Sequence, residues 1–119
     1  MLPISDSTMR AVEYALDGLK TRADTRAHNI ANVNTPGFAA KKVDFESSLR
    51  AALAFGSPER APAPAVVPGD GLPNKQGNTV DLETELVGFM KDNLMRDAMV
   101  NAYNFKVGVL RTAINGMPR

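Results

Sequence analysis

The sequence predicts an all-α fold: two long terminal helices packed as a coiled-coil-like hairpin, with a short helix and a Pro/Gly-rich loop between them. Three observations carry that prediction. Residues 5–34 contain no proline and one glycine, Gly18. Residues 56–79 hold five prolines and four glycines among 24 positions, too many breakers for regular structure. Residues 80–115 return to two glycines and no proline. At 119 residues the chain is read as one domain, 1–119, with no room for an added outer domain.

The first helix is expected over 5–34. Met9, Val12, Leu16, Leu19, Ala23, Arg26, Ile30 and Val33 step by three and four along it. All but Arg26 are apolar, which makes a narrow seam of the coiled-coil kind. Ser5 or Asp6 suits the N-cap. Pro36 turns Thr35 away from helical angles, so the helix should stop near Asn34. In the next ten residues Asp44 is placed to cap a short helix carrying Phe45, Leu49, Ala52 and Leu53 on one face. The Ala/Pro stretch from Arg60 to Pro68 reads as extended, polyproline-like or mobile.

The last helix is expected over 81–116. Asp81 serves as N-cap, and Glu83 and Glu85 lie near the positive end of the helix dipole. Its seam runs through Leu82, Leu86, Phe89, Asn93, Arg96, Val100, Tyr103, Val107, Leu110 and Ile114, broken only by Asn93 and Arg96. A second apolar row lies beside it: Met90, Leu94, Ala98, Phe105, Val109 and Ala113. Gly116 and Pro118 end the helix. One partner helix cannot cover two rows, so the stable unit is expected to be an assembly, with the isolated chain poorly ordered.

Composition removes several classes of function. There is no cysteine, which excludes disulfides, thiolate metal sites and thiol nucleophiles. Fourteen basic against thirteen acidic residues leave a net charge of +1, against the basic excess of a nucleic-acid binder. No apolar run is long enough to span a membrane. The start lacks the basic and apolar regions of a general secretory signal peptide. His28 is alone and is read as exposed or interfacial. No nucleophile–base pair, phosphate loop or acid–base pair stands out, so no enzyme, cofactor or metal is expected. Lys41, Lys42, Arg50 and Arg60 read as solvated charges, with an acidic surface or lipid headgroups as the alternative. Asp92, Arg96 and Asp97 read as a solvated or intersubunit polar band. Arg26 and Arg96, charged within apolar seams, are the kind of residue that sets register or partner choice.

The most informative stretch is Asn29-Ile30-Ala31-Asn32-Val33-Asn34-Thr35-Pro36-Gly37-Phe38. Pro36-Gly37 suits the centre of a type II turn, and Asn side chains bond the carbonyls of a closing helix. An ordinary helix stop explains Pro-Gly but not three asparagines around a packed Ile30 and Val33. This segment resembles the N-terminal signature of the flagellar axial proteins, the rod and hook subunits of the bacterial flagellum. Gly77-Asn78-Thr79-Val80-Asp81-Leu82-Glu83-Thr84-Glu85-Leu86 is similar to the start of the C-terminal helix in the B-type proximal rod branch of that family. The resemblance covers 9–55 and 77–116; Phe38 replaces a common Tyr and Leu86 a common Met.

The resemblance implies a structural subunit of the proximal rod that assembles helically around the export channel and transmits torque. It implies copies of itself, other rod subunits, the MS-ring, its rod-junction subunit and the flagellar type III export gate as partners. It also implies a place in the periplasmic rod, reached without a cleaved signal peptide. Phe45 and Leu49 fit the spacing of the gate-recognition motif of early export substrates, with simple packing as the alternative. Still open are a C-type proximal rod protein, whose last helix is usually preceded by a different block, and a cytoplasmic helical adaptor or export chaperone using the same seams.

Overall fold

The computed structural model describes residues 4–56 and 58–116. Two long helices dominate it, α1 over Ile4–Ala31 and α3 over Leu82–Asn115. Between them lie strand β1 (Lys41–Asp44), helix α2 (Glu46–Ala54), a single 3₁₀ turn (Pro58–Arg60) and strand β2 (Ala65–Pro68). The molecule is a rod, 70 × 26 × 14 Å.

The fold is mostly helical, but the all-α expectation needs correction. β1 and β2 form a small antiparallel sheet, with Lys41 opposite Pro68 and Asp44 opposite Ala65. The Ala/Pro stretch is extended, as its composition predicts, but part of it is paired rather than polyproline-like. Pro68 is tolerated because it ends a strand at a sheet edge.

Helix α1 stops at Ala31, three residues short of the expected end. The amide of Asn32 bonds the carbonyls of His28 and Asn29, and that of Val33 bonds Ile30, which tightens the last turn. The Asn32 side chain also donates to the His28 carbonyl at 2.9 Å. Val33 therefore lies beyond the helix it was expected to extend. The cap expected of Ser5 or Asp6 falls on side chains outside those described, and Pro118 is likewise outside. Asp81 caps α3 as expected, accepting from the Thr84 amide at 3.3 Å. Asp44 accepts from the Ser47 amide and hydroxyl ahead of α2, which holds its carboxyl below the usual range.

The apolar core is small. Among the described residues Ala15, Leu19, Val43, Phe45 and Ala52 are the buried hydrophobics, with Tyr14, Leu49 and Met99 packed against them. It sits where α1 meets β1 and the start of α2, away from the chain ends. Phe45 fills it at 1% exposure. Tyr14 meets its ring edge-on, with centroids 6.3 Å apart, and the Arg22 guanidinium lies 4.7 Å over its face. Gly18 is why the ring fits, since a Cβ there would overlap it. Gly18→Ala should therefore cost about 1–3 kcal/mol, because the added methyl overlaps a buried ring that must shift to admit it. A thermal melt within a degree of wild type would contradict this packing.

A polar latch at the closed end of the helix pair

Where it leaves the connector, α3 does not turn its apolar seam toward α1, since Leu82 and Leu86 are exposed. Near the connector, the buried positions are Gly88 and Asp92, with Glu85 beside them. They meet Arg22, Arg26 and Asn29 of α1, one helical turn apart. Arg26 donates from Nε to Asp92 at 2.9 Å and from Nη1 to Glu85 at 3.2 Å. Its guanidinium occupies the space that a Cβ on Gly88 would fill. Arg22 forks onto Glu46 at 2.5 and 3.0 Å, donates to the Val43 carbonyl and reaches Asp92 at 3.4 Å. Three elements thus converge on two arginines.

Asn29 supplies the next contact. At 1% exposure, its amide group donates to the Lys41 carbonyl and to Glu85, and its Oδ1 accepts from the Lys41 amide. In pairing both ways with Lys41 it imitates a strand neighbour for β1. No buried side-chain polar atom among the described residues lacks a partner, the condition under which a buried polar network does not destabilise the fold.

The two sequence blocks that carry the family resemblance meet here. Thr35-Pro36-Gly37-Phe38 closes as a turn, with the Phe38 amide bonded to Thr35 and Gly37 at φ +74°, the left-handed angle that favours glycine. The Gly37 amide donates to Gln76, and the Thr79 amide donates to Phe38. Asn78, also buried, donates to the carbonyls of Asn32 and Thr35, both at 2.8 Å, and accepts from the Val80 amide. Asn74 shapes the loop by accepting from the amides of Gln76 and Asn78.

Other expected site residues fall into two groups. Leu19 is buried; Met9, Val12, Leu16, Ala23, Ile30, Val33, Phe89, Tyr103, Val107 and Leu110 are half-buried. Leu82, Leu86, Val100 and Ile114 are exposed, as is the second row through Met90, Leu94, Phe105 and Val109. In the Asn-rich motif Ala31, Asn34, Thr35, Pro36 and Gly37 are exposed, while Phe38 is half-buried against the exposed His28. Asp92 is corrected: it belongs to a buried ion-pair network, whereas Arg96 and Asp97 are exposed. Arg26 finds its acidic partners within its own chain. Lys41, Lys42, Arg50 and Arg60 are exposed, and Lys42 pairs with Asp70. Arg22, Glu46 and Asn74 have no role in the sequence reading; the signal for Arg22 was its place four residues before Arg26.

Burial works to raise the Glu46 carboxyl, but the hydrogen bonds and charge of Arg22 outweigh it and hold it below its ordinary 4.5. Burial likewise opposes the Arg22 charge, and Glu46 and then Asp92 more than restore it. A depressed carboxyl stabilises the fold above its unfolded value and loses that contribution as pH falls through the folded one. The melting temperature should therefore fall as pH drops below 4.5. Glu46→Gln should flatten that part of the profile, and an unchanged slope would remove Glu46 from the network.

No family model matches the chain. Among curated relatives, the flagellar basal body rod protein FlgB of Escherichia coli (strain K12) is 30% identical, over 98% of this chain and 94% of that protein. That of Yersinia enterocolitica is 31% identical over 98% and 95%. That of Bacillus subtilis (strain 168) is 28% identical over 97% and 98%. These alignments run through both latched blocks and the connector between them, and of the readings left open above they favour the B type. The chain belongs to the FlgB family of flagellar basal body rod proteins.

Proposed function

We propose that this chain is a subunit of the proximal rod, packed helically with its neighbours around the export channel so that torque passes along the rod. It is a structural component of the flagellum and not an enzyme. Its partners in this reading are copies of itself, other rod subunits, and the MS-ring with its rod-junction subunit. The chain reaches the periplasm unfolded, through the type III export gate and without a cleaved signal peptide. Among the described residues no helix is long and apolar enough to cross a membrane.

One observation carries the reading. The latch closes the hairpin with polar residues and leaves the apolar ridge of α3 uncovered, with Leu94 at 71% and Phe105 at 74% exposure. A ridge of that length on a rod-shaped subunit suits lateral packing between subunits. Leu94→Asp tests it, because a residue so exposed should not disturb the subunit's own fold. Circular dichroism should be unchanged and swimming in soft agar lost. Ala63→Ser, on the exposed connector, should swim normally. Normal motility of Leu94→Asp would count against the ridge as an interface.

A further inference from the structure

In cross-section the rod is flat, 26 by 14 Å, and so one layer of elements deep. Helix α1 packs against α3 on one side and against β1, α2 and the 3₁₀ turn on the other. The two long edges of the layer are therefore different, and both carry uncovered apolar surface. On the α3 edge Leu94, Asn101, Phe105 and Gly108 are exposed and face away from Asp92 and Met99. On the other edge Ala51, Phe55, Ala61 and Pro62 line a groove between α2 and the 3₁₀ turn, with Arg60 at its rim and Phe55 85% exposed. We propose that these edges are the two halves of one contact: Phe105 of one copy enters the groove of a second copy lying beside it in the same orientation. This rests on the rod-subunit reading and names the surface that meets the ridge of α3.

Heights along the rod match. Arg22 donates to Glu46 at the start of α2 and to Asp92 of α3 at once, so these two lie level on either side of α1. Further toward the chain ends, the neighbouring residues Glu13 and Tyr14 reach to the two sides. Glu13 accepts from Tyr103 of α3, and Tyr14 donates to the Pro62 carbonyl. Pro62 is thus level with Tyr103, and Phe105 follows two positions later on the outer face of α3. A copy shifted sideways by one width of the layer, with no shift along the rod, brings Phe105 to the groove.

Charge favours the same placement. Exposed Arg50 stands one turn after Glu46, and exposed Asp97 just over one turn after Asp92. Both helices run toward the same end of the rod, so the sideways shift sets Arg50 of one copy against Asp97 of the next. Within its own chain Asp97 meets Arg96 at 3.6 Å, an exposed pair that contributes little in water. The outer face of α2 is otherwise small, with Ser47, Ala51 and Ala54 exposed, so a neighbouring helix comes close. Arg60 at the rim is placed to cover an aromatic ring seated in the groove, a favourable cation–π contact. Because the two edges differ, each copy takes one neighbour on each side, and the contact builds a ring or a helix rather than a two-fold pair.

The absence of cysteine makes the contact readable by cross-linking in cells. Ala51→Cys and Asn101→Cys lie on opposite edges of one chain with α1 between them, so a short bismaleimide joins them only across two copies. The chain carrying both should give a ladder of dimers, trimers and higher species, and each single variant should stay monomeric. Added to that pair, Phe105→Asp or Arg50→Glu should lower the ladder at least about tenfold. Arg50→Glu with Asp97→Arg should restore it, since the charges are exchanged across the contact. All these side chains are exposed, so circular dichroism should be unchanged throughout. A dimer from Asn101→Cys alone would overturn the proposal, because it would mean a two-fold contact of α3 with α3. So would a ladder that survives Phe105→Asp, or failure of the exchanged charges to restore it. The rod reading is tested separately by deleting the chain, where normal swimming would count against that reading. Swimming cells that carry both cysteines and give no ladder would overturn the edge contact alone.

Discussion

Phe45→Ala is expected to cost about 3–5 kcal/mol, enough to abolish a cooperative melt of the chain. The ring is the largest fully buried side chain among the described residues and meets Tyr14, Gly18 and Arg22 within the core cluster. Among the described residues the other buried hydrophobics are few, so little else compensates for the cavity. The measurement is a thermal melt followed by circular dichroism, and a shift of only a few degrees would refute the central place given to this ring. The same variant separates the two readings of Phe45 and Leu49. An export gate reads an unfolded chain, where an apolar pair is visible without tertiary context, whereas a packing role needs the folded subunit. In a strain blocked at rod completion, a lowered periplasmic level of Phe45→Ala assigns an export role. A wild-type level with lost motility leaves packing alone.

Asp92→Ala is expected to be nearly as severe, at about 3–5 kcal/mol. Asp92 is 7% exposed and accepts from both Arg22 and Arg26. Removing it leaves two guanidinium groups facing each other across a half-buried gap, with Glu46 and Glu85 now the remaining carboxylates. The penalty arises mainly from the charges left behind, so Asp92→Ala combined with Arg26→Leu should cost less than the sum of the two single changes. Additive losses in chemical denaturation would mean that Asp92 and Arg26 do not act as a pair.

The long helices were legible because apolar spacing and the lack of breakers are local properties. Asp81 at the start of α3 and the Pro36-Gly37 turn were legible for the same reason. The β1–β2 pair was not, since Lys41 and Pro68 are 27 positions apart and four-residue strands leave no alternation to read. The partners of Arg26 were not legible either. Periodicity ranks positions by hydrophobicity, so it assigned the inner face of α3 to Leu82 and Leu86, and the structure turns Glu85, Gly88 and Asp92 there instead.

By itself, then, the sequence determined two terminal helices, a broken middle, a turn at Gly37 and membership in a family of axial proteins. Each follows from residues near one another in the chain or from an unusual string of them. Tertiary structure alone decided which face of α3 lies against α1. Apolar seams are interchangeable along their length, whereas a guanidinium group needs a notch and carboxylates at fixed places. Those places, Gly88, Glu85 and Asp92, lie some 60 residues from Arg26 and come within its reach only when the chain has folded.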